Sequence, residues 1–125
     1  MSPDPLVLDL LALPKAVPEA RRQVRAYLGS PCPDVQLCVS ELLTNVIDHV
    51  GEGTPVAVRL TRTGDRVRLE VTDLAPHTRL APRRARDDDE SGRGLLLLAA
   101  VALRWGVEQG RRGKTVWCEV RPGED

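Results

Sequence analysis

The sequence predicts an α+β domain in which a mixed, mainly antiparallel sheet packs against about three helices as a two-layer sandwich. Two observations indicate this class. The predicted elements follow the order β-α-α-β-β-α-β-β, which does not alternate strictly between strand and helix. Four of the predicted strands form two pairs, each joined by a short turn, as antiparallel neighbours are. The 125 residues are expected to form a single domain, residues 1–125, with its own core.

The first predicted elements are a strand and a helix. Residues 6–13 are apolar except for one Asp and end before Pro14, which cannot continue a ladder of hydrogen bonds. Val17–Leu28 has an apolar stripe at helical spacing, with Pro18 at the first helical position and Gly29 after its end. The outward side of this helix forms either a solvated surface or a partner contact, and it carries Arg21, Arg22 and Arg25.

The central helix is predicted over Val35–Val50, with Asp34 as its N-cap. Its apolar residues recur at spacings of three and four, which indicates one face packed on the core. Glu41, Asn45 and Asp48 lie at i, i+4 and i+7 and form a second, polar stripe. The helix contains no Lys or Arg to pair with them. The stripe therefore suits oxygen ligation of Mg²⁺ and a carboxylate that activates water or a hydroxyl, with an ordinary solvated face as the alternative.

Two antiparallel strands and an irregular segment follow. Val56–Thr61 and residues 67–72 alternate apolar and polar side chains on either side of a turn at residues 63–65, and the second strand stops at Asp73. Residues 75–91 show no period and are rich in proline, arginine and acidic residues. A loop of this length is either a functional lid or an inert solvated insert, and we favour the lid.

The C-terminal part is predicted to be a helix and a closing hairpin. Ser91-Gly92-Arg93-Gly94 opens an almost wholly apolar helix, and the backbone N–H groups at such a start can hold an anion. Alone that signal is weak, because glycines are common at helix starts. The hairpin consists of Trp105–Gln109 and Lys114–Val120, and residues 121–125 are expected to fray.

Composition and charge narrow the function classes. Lys and Arg together number 18, as do Asp and Glu together, so the formal net charge is zero. The chain has no Phe, one Tyr and two Trp. Neither the charge nor the aromatic content indicates direct nucleic-acid binding. The three cysteines lack metal-ligand spacing and are interpreted as reduced, partly buried thiols. The N-terminus lacks the basic region of a signal peptide, and the apolar segment 95–103 is too short to span a bilayer. We therefore expect a cytoplasmic protein without membrane contact.

Four segments of the chain occur in an order that resembles one superfamily. They are ELLTNVIDH at Glu41–His49, DLAP at Asp73–Pro76, SGRGL at Ser91–Leu95 and GKTVW at Gly113–Trp117. Together they resemble the GHKL (histidine-kinase-like) ATPase superfamily and, within it, the small anti-sigma-factor serine kinases of the actinobacterial type. The resemblance covers nearly the whole chain and implies a Bergerat-like ATP-binding fold that binds ATP and Mg²⁺.

The resemblance also implies roles for individual residues. Glu41 would be the catalytic general base, and Asn45 would ligate a Mg²⁺ ion that bridges the ATP phosphates. Asp73 would accept a hydrogen bond from the adenine amino group, with support from Thr115 on the last strand. The remaining nucleotide-binding residues would be Asp48, His49, Gly92, Arg93, Gly94 and Leu95, with residues 75–91 as an ATP lid over the phosphates.

The activity implied by the resemblance is that of an anti-sigma factor that is also a serine/threonine-protein kinase toward an anti-sigma-factor antagonist. The expected partners are a sigma factor and that antagonist protein, with a homodimer as a further expectation. One departure leaves an alternative open, because Leu74-Ala75-Pro76 replaces a glycine-rich segment after Asp73. The alternative is a catalytically weak or inactive module that keeps the fold and sequesters a sigma factor or the antagonist.

Overall fold

The computed structural model describes residues 4–74 and 96–122 and confirms the α+β class. The lid at 75–91 and the last residues of the tail lie outside the described residues. The described elements keep the predicted order and are β1 (Leu6–Leu11), α1 (Ala16–Leu28), α2 (Pro33–Asn45), a π-helical segment (Val46–Val50), β2 (Pro55–Thr63), β3 (Arg66–Asp73), α3 (residues 96–101), β4 (Arg104–Gln109) and β5 (Lys114–Val120).

The described strands form one sheet in the order β1-β2-β3-β5-β4. Every neighbouring pair in this sheet is antiparallel, so the sheet is more regular than the predicted mixed arrangement. β2 and β3 form the expected hairpin, and Gly64 in its turn has a φ of 60°, which glycine adopts without steric cost. β5 pairs with β3, and the C-terminal hairpin therefore lies beside the central hairpin.

The helices cover one face of the sheet, and the core lies between the two layers. Alternate residues of β2 and β3 are buried, as their sequence pattern predicts, and the residues between them face outward. The faces of α1 and α2 that pack on the sheet consist of buried residues at helical spacing. Buried side chains of these four elements include Ala20, Val24, Val35, Val39, Leu42, Leu43, Val56, Val58, Leu60, Val67, Leu69 and Val71. Within residues 4–74 and 96–122, no helix has the length and apolar character needed to cross a membrane.

Both long helices begin earlier than the sequence predicts. α2 begins at Pro33, and Cys32 takes the N-cap position without a side-chain hydrogen bond, so the prediction of Asp34 as N-cap is wrong. Proline is favoured at the first helical position because its fixed φ suits the helix and its missing N–H would have no partner there. α1 begins at Ala16, which puts Pro18 inside the first turn.

The arginines of α1 do not form one outward surface. Arg21 reaches across to α2, where its guanidinium donates to the carbonyl of Gln36 at 3.2 Å and to the Ser40 hydroxyl at 2.7 Å. Arg22 pairs with Glu19, one turn away on the same helix. The predicted outward group is therefore wrong for Arg21, which ties the two helices together instead.

All three cysteines are buried free thiols, as the sequence predicts. Cys38 of α2 and Cys118 of β5 interact across the boundary between helix and sheet. This interaction, together with burial, raises the pKa of the Cys118 thiol far above its ordinary value. Cys118 is therefore a neutral thiol that packs as a small apolar side chain.

The outer face of the sheet carries a network of charges around Glu119 on β5, the Glu119 network. Arg104 donates to the Glu119 carboxylate through Nε at 2.9 Å, and Arg68 donates to it through Nη1 at 3.1 Å. The Arg68 guanidinium also lies 4.2 Å from the centre of the Trp117 ring. The Glu119 side chain is 12% exposed, and the hydrogen bond from Arg104 lowers its pKa to about 2. The network joins β3, β4 and β5 on the side that the helices leave open.

We expect Glu119→Gln to lower the free energy of unfolding by about 1 kcal/mol near neutral pH, since partly exposed ion pairs contribute on this scale. Folding lowers the pKa of Glu119 from 4.5 to about 2. The stabilisation by the ionised carboxylate is therefore complete above pH 4.5 and is lost as the pH falls toward 2. Urea unfolding of both proteins across this range measures the difference. Glu52→Gln, in an exposed turn, is the control. A difference that stays constant down to low pH would contradict the role of the ionised carboxylate.

Candidate nucleotide-binding site

A cavity of about 240 Å³ lies between the C-terminal end of the central helix and the sheet. One wall comes from α2 and the π-helical segment, and the other comes from β3, β4 and β5. A mainly apolar cleft with a few polar groups is the usual form of a small-molecule site. The described residues that line this cavity are Leu42, Asn45, Val46, His49, Val50, Val71, Asp73, Val107, Lys114 and Val116.

The helix wall changes its geometry where it meets the cavity. α2 ends at Asn45, and in the π-helical turn that follows the N–H of Gly51 donates to the carbonyl of Val46 at 3.0 Å. Turns of this wider kind are found frequently at functional sites. Asn45 and His49 both line the cavity, as the resemblance implies for nucleotide-binding residues, and the buried Val46 anchors the turn to the core.

The sheet wall is built around Asp73, the last residue of β3. Asp73 is 8% exposed and is the one buried polar or charged residue in the part of the chain that the structure describes. The N–H of Leu74 donates to the carbonyl of Pro55 at 2.9 Å, so β3 stays in contact with the start of β2 up to its end. Burial of a carboxylate costs free energy. Its position at the edge of an apolar cavity is therefore typical of a ligand-binding residue.

Lys114, which the sequence motifs did not single out, lines the cavity opposite Asp73. The two residues face each other directly in the pairing of β3 with β5. Because side chains alternate along a strand, Thr115 faces the other side of the sheet, where its hydroxyl lies 2.6 Å from that of Thr72. Thr115 therefore lies on the face of β5 away from the cavity, and Lys114 is the residue of β5 that is paired with Asp73 in the register. The apolar residues Val116, Cys118 and Val120 alternate along β5 toward the core. Lys114 continues this alternation, and that sequence pattern could have identified it as the residue on the cavity side.

Gly113 allows the two strands to approach each other beside the cavity. A Cβ atom at residue 113 would lie 1.7 Å from the carbonyl oxygen of Asp73, a distance that no side chain can occupy. The carbonyl of Gly113 accepts a hydrogen bond from the N–H of Gly110 at 2.9 Å, which closes the turn before β5. The glycine therefore fixes how closely Lys114 approaches Asp73.

The other predicted site residues fall into two groups. Glu41 is half-buried on α2 and Asp48 is exposed in the π-helical segment, and neither is among the described residues that line the cavity. Asp48 points away from the cavity because the π-helical turn is wider than an α-helical turn. In the wider turn, His49, four positions after Asn45, returns to the side of Asn45, whereas Asp48, three positions after it, does not. The predicted stripe therefore does not extend to Asp48. Outside the described residues lie Gly92, Arg93, Gly94 and Leu95.

The fold and the cavity define a class of protein, an α+β domain with a cavity for a small ligand between the end of a helix and an antiparallel sheet. The sequence model of one family, described as the histidine kinase-like ATPase domain, matches residues 10–119. The chain belongs to that family, which confirms the resemblance to the GHKL superfamily. Family membership implies that the ligand is a nucleotide.

A protein of Streptomyces coelicolor, uncharacterized protein SCO4941, is 52% identical over 83 residues, which are 65% of this chain and 79% of that protein. Its name assigns no activity.

Family members that bind ATP usually bind it with Mg²⁺. Whether such an ion fits this cavity depends on which oxygen and nitrogen ligands the chain offers there. In residues 4–74 and 96–122 no group of three or more His, Cys, Asp or Glu could hold a metal. A Mg²⁺ ion at the Asn45 amide oxygen would thus take its other ligands from phosphate and water, as Mg²⁺ commonly does.

We expect Gly113→Ala to lower the free energy of unfolding by about 2 kcal/mol, as overpacking of a tight contact does. The added methyl group would force β5 away from the carbonyl of Asp73. Gly110→Ala, in the same turn, is the matched control, because the nearest atom to a Cβ at that position is 3.8 Å away. Urea unfolding measures both variants, and equal stability of the two would contradict the close approach of the strands.

Proposed function

We propose that this protein is an ATP- and Mg²⁺-dependent regulator of transcription, which acts as an anti-sigma factor and as a serine/threonine-protein kinase toward an anti-sigma-factor antagonist. The observation that carries ATP binding is the meeting of Asn45, His49 and Asp73 at one cavity. Membership of the histidine kinase-like ATPase family supports the same ligand. The anti-sigma and kinase roles rest on the four motif segments. Such a regulator would act in the cytoplasm on a sigma factor and the antagonist, as a monomer or a homodimer.

In this proposal the apolar walls of the cavity hold the adenine ring, and Asp73 accepts a hydrogen bond from the adenine amino group. Val71, Val107 and Val116 line the cavity with Asp73 and give the base an apolar surface to pack on. Asn45 would contribute one oxygen to Mg²⁺. When it is bound, the ion neutralises negative charge on the phosphates.

Glu41 is the proposed general base. It lies one helical turn before Asn45 on α2, so that both side chains project from neighbouring positions of one helix. The Glu41 carboxylate would accept the proton of the Ser or Thr hydroxyl that the antagonist protein presents. Positioning of the reacting groups supplies most of the rate in phosphoryl transfer, and the proton acceptor adds to it.

A second candidate function is favoured by the position of Glu41. This side chain is not among the described residues that line the cavity, so a nucleotide can occupy the cavity without contact with the base. The segment Leu74-Ala75-Pro76, at which the superfamily favours glycines, supports the same candidate. The protein would then be a catalytically weak or inactive module that sequesters a sigma factor or the antagonist.

We expect Asn45→Ala to weaken the binding of ATP in the presence of Mg²⁺ by about tenfold or more, because the substitution removes an oxygen ligand of the ion. Isothermal titration calorimetry measures the Kd. Thr44→Ala, at the exposed neighbouring position of α2, is the control and should bind as the unchanged protein does. Equal affinity of Asn45→Ala would remove the metal assignment. Absence of ATP binding by the unchanged protein would contradict the proposed ligand.

Transfer of labelled phosphate separates the two candidate functions. If the protein is a kinase, the γ-phosphate of ATP should appear on a Ser or Thr of the antagonist protein. Glu41→Gln should then slow the transfer by about a hundredfold, the usual contribution of a general base, with the affinity for ATP unchanged. A stable complex with the antagonist in which no phosphate is transferred would instead support the inactive module.

A further inference from the structure

We propose that Lys114 is a further nucleotide-binding residue that reads the base. Its ammonium group donates a hydrogen bond to an adenine ring nitrogen beside the amino group from which Asp73 accepts. The proposal rests on the proposed function, because it takes the ligand of the cavity to be an adenine nucleotide. It adds a contact that decides which bases the cavity accepts.

The pairing of β3 with β5 brings the two charged side chains together. Asp73 and Lys114 are directly opposite in the register, and residues in such positions have Cβ atoms about 5 Å apart. Both residues line the same cavity. Gly113 keeps the strands close at this position, because a side chain there would strike the carbonyl oxygen of Asp73. Asp73 and Lys114 therefore border the cavity from directly opposite positions on neighbouring strands.

The surroundings of this pair suit a base better than a phosphate. Val71 and Val116, which pair with each other two positions along the same strands, line the cavity next to it. The cavity, of about 240 Å³, has room for a base beside this pair. The buried carboxylate of Asp73 would also repel a phosphate.

Adenine presents hydrogen-bond donors and acceptors next to each other. Its amino group donates, and the ring nitrogens N1 and N7 on either side of the amino group accept. An ionised carboxylate only accepts hydrogen bonds, and an ammonium group only donates them. Asp73 and Lys114 together therefore match the amino group and one flanking nitrogen, whereas a carboxylate alone recognises only the amino group.

Deaza analogues of ATP test this proposal by isothermal titration calorimetry. The analogues 1-deaza-ATP and 7-deaza-ATP each replace one ring nitrogen by C–H. One of them should bind the unchanged protein about tenfold more weakly than ATP, since a hydrogen bond from a charged donor contributes on this scale. Lys114→Met should bind ATP and that analogue equally, with the affinity for ATP lowered by the same factor. Lys114→Arg, which keeps a charged donor, should retain a preference for ATP.

Arg112→Met is the matched control, because it removes the same charge from a neighbouring residue that lines a different cleft, together with Thr72 and Thr115 of the outer face. This variant should bind ATP and both analogues as the unchanged protein does. The proposal is overturned if Lys114→Met leaves the affinity for ATP unchanged, or if it weakens ATP and both analogues equally. In either case, ATP binding by the unchanged protein leaves the proposed function in place. Failure of the unchanged protein to bind ATP removes both.

Discussion

The pairing of β3 with β5 is the constraint on which the candidate site depends. It sets Lys114 opposite Asp73, although the two residues lie far apart in the sequence. The approach is possible because residue 113 is a glycine, whose missing side chain leaves room for the carbonyl of Asp73. Since β5 also pairs with β4, the same register brings Val107 to the cavity wall. One strand pairing thus determines most of the sheet side of the site.

The helix side of the site is held by the core. Leu42 and Val46 are buried next to Asn45, and burial of such side chains stabilises the fold by roughly 1.5–3 kcal/mol each. The packing of these two side chains therefore fixes where Asn45 lies along the cavity wall. On the opposite face, the Glu119 network joins the three strands that form the sheet wall.

Much of the fold could be predicted because its elements have strong periods. Apolar and polar residues alternate in β2 and β3 and recur at helical spacing in α2, because every element buries one of its faces. The family match confirms the superfamily that the motifs indicated. Asn45, His49 and Asp73 were predicted from the motifs, and they share one cavity.

The errors arise where local geometry decides. The N-cap of α2 was misplaced because Pro33 can begin a helix without a capping side chain. The π-helical turn has no recognisable sequence period, so the polar stripe was extended to Asp48. Thr115 was chosen by its resemblance to a motif, and a shift of one residue along a strand moves a side chain to the opposite face.

Amide chemical shifts test most directly the central claim, that a nucleotide binds between the end of α2 and the ends of β3 and β5. Isotope-labelled protein would be titrated with ATP and Mg²⁺ and followed by nuclear magnetic resonance. The account predicts that the largest changes occur at residues 45–50, 71–74 and 113–116, which contribute most of the cavity lining. Changes concentrated on the outer face, around Arg68 and Trp117, or none at saturating ATP, would contradict it.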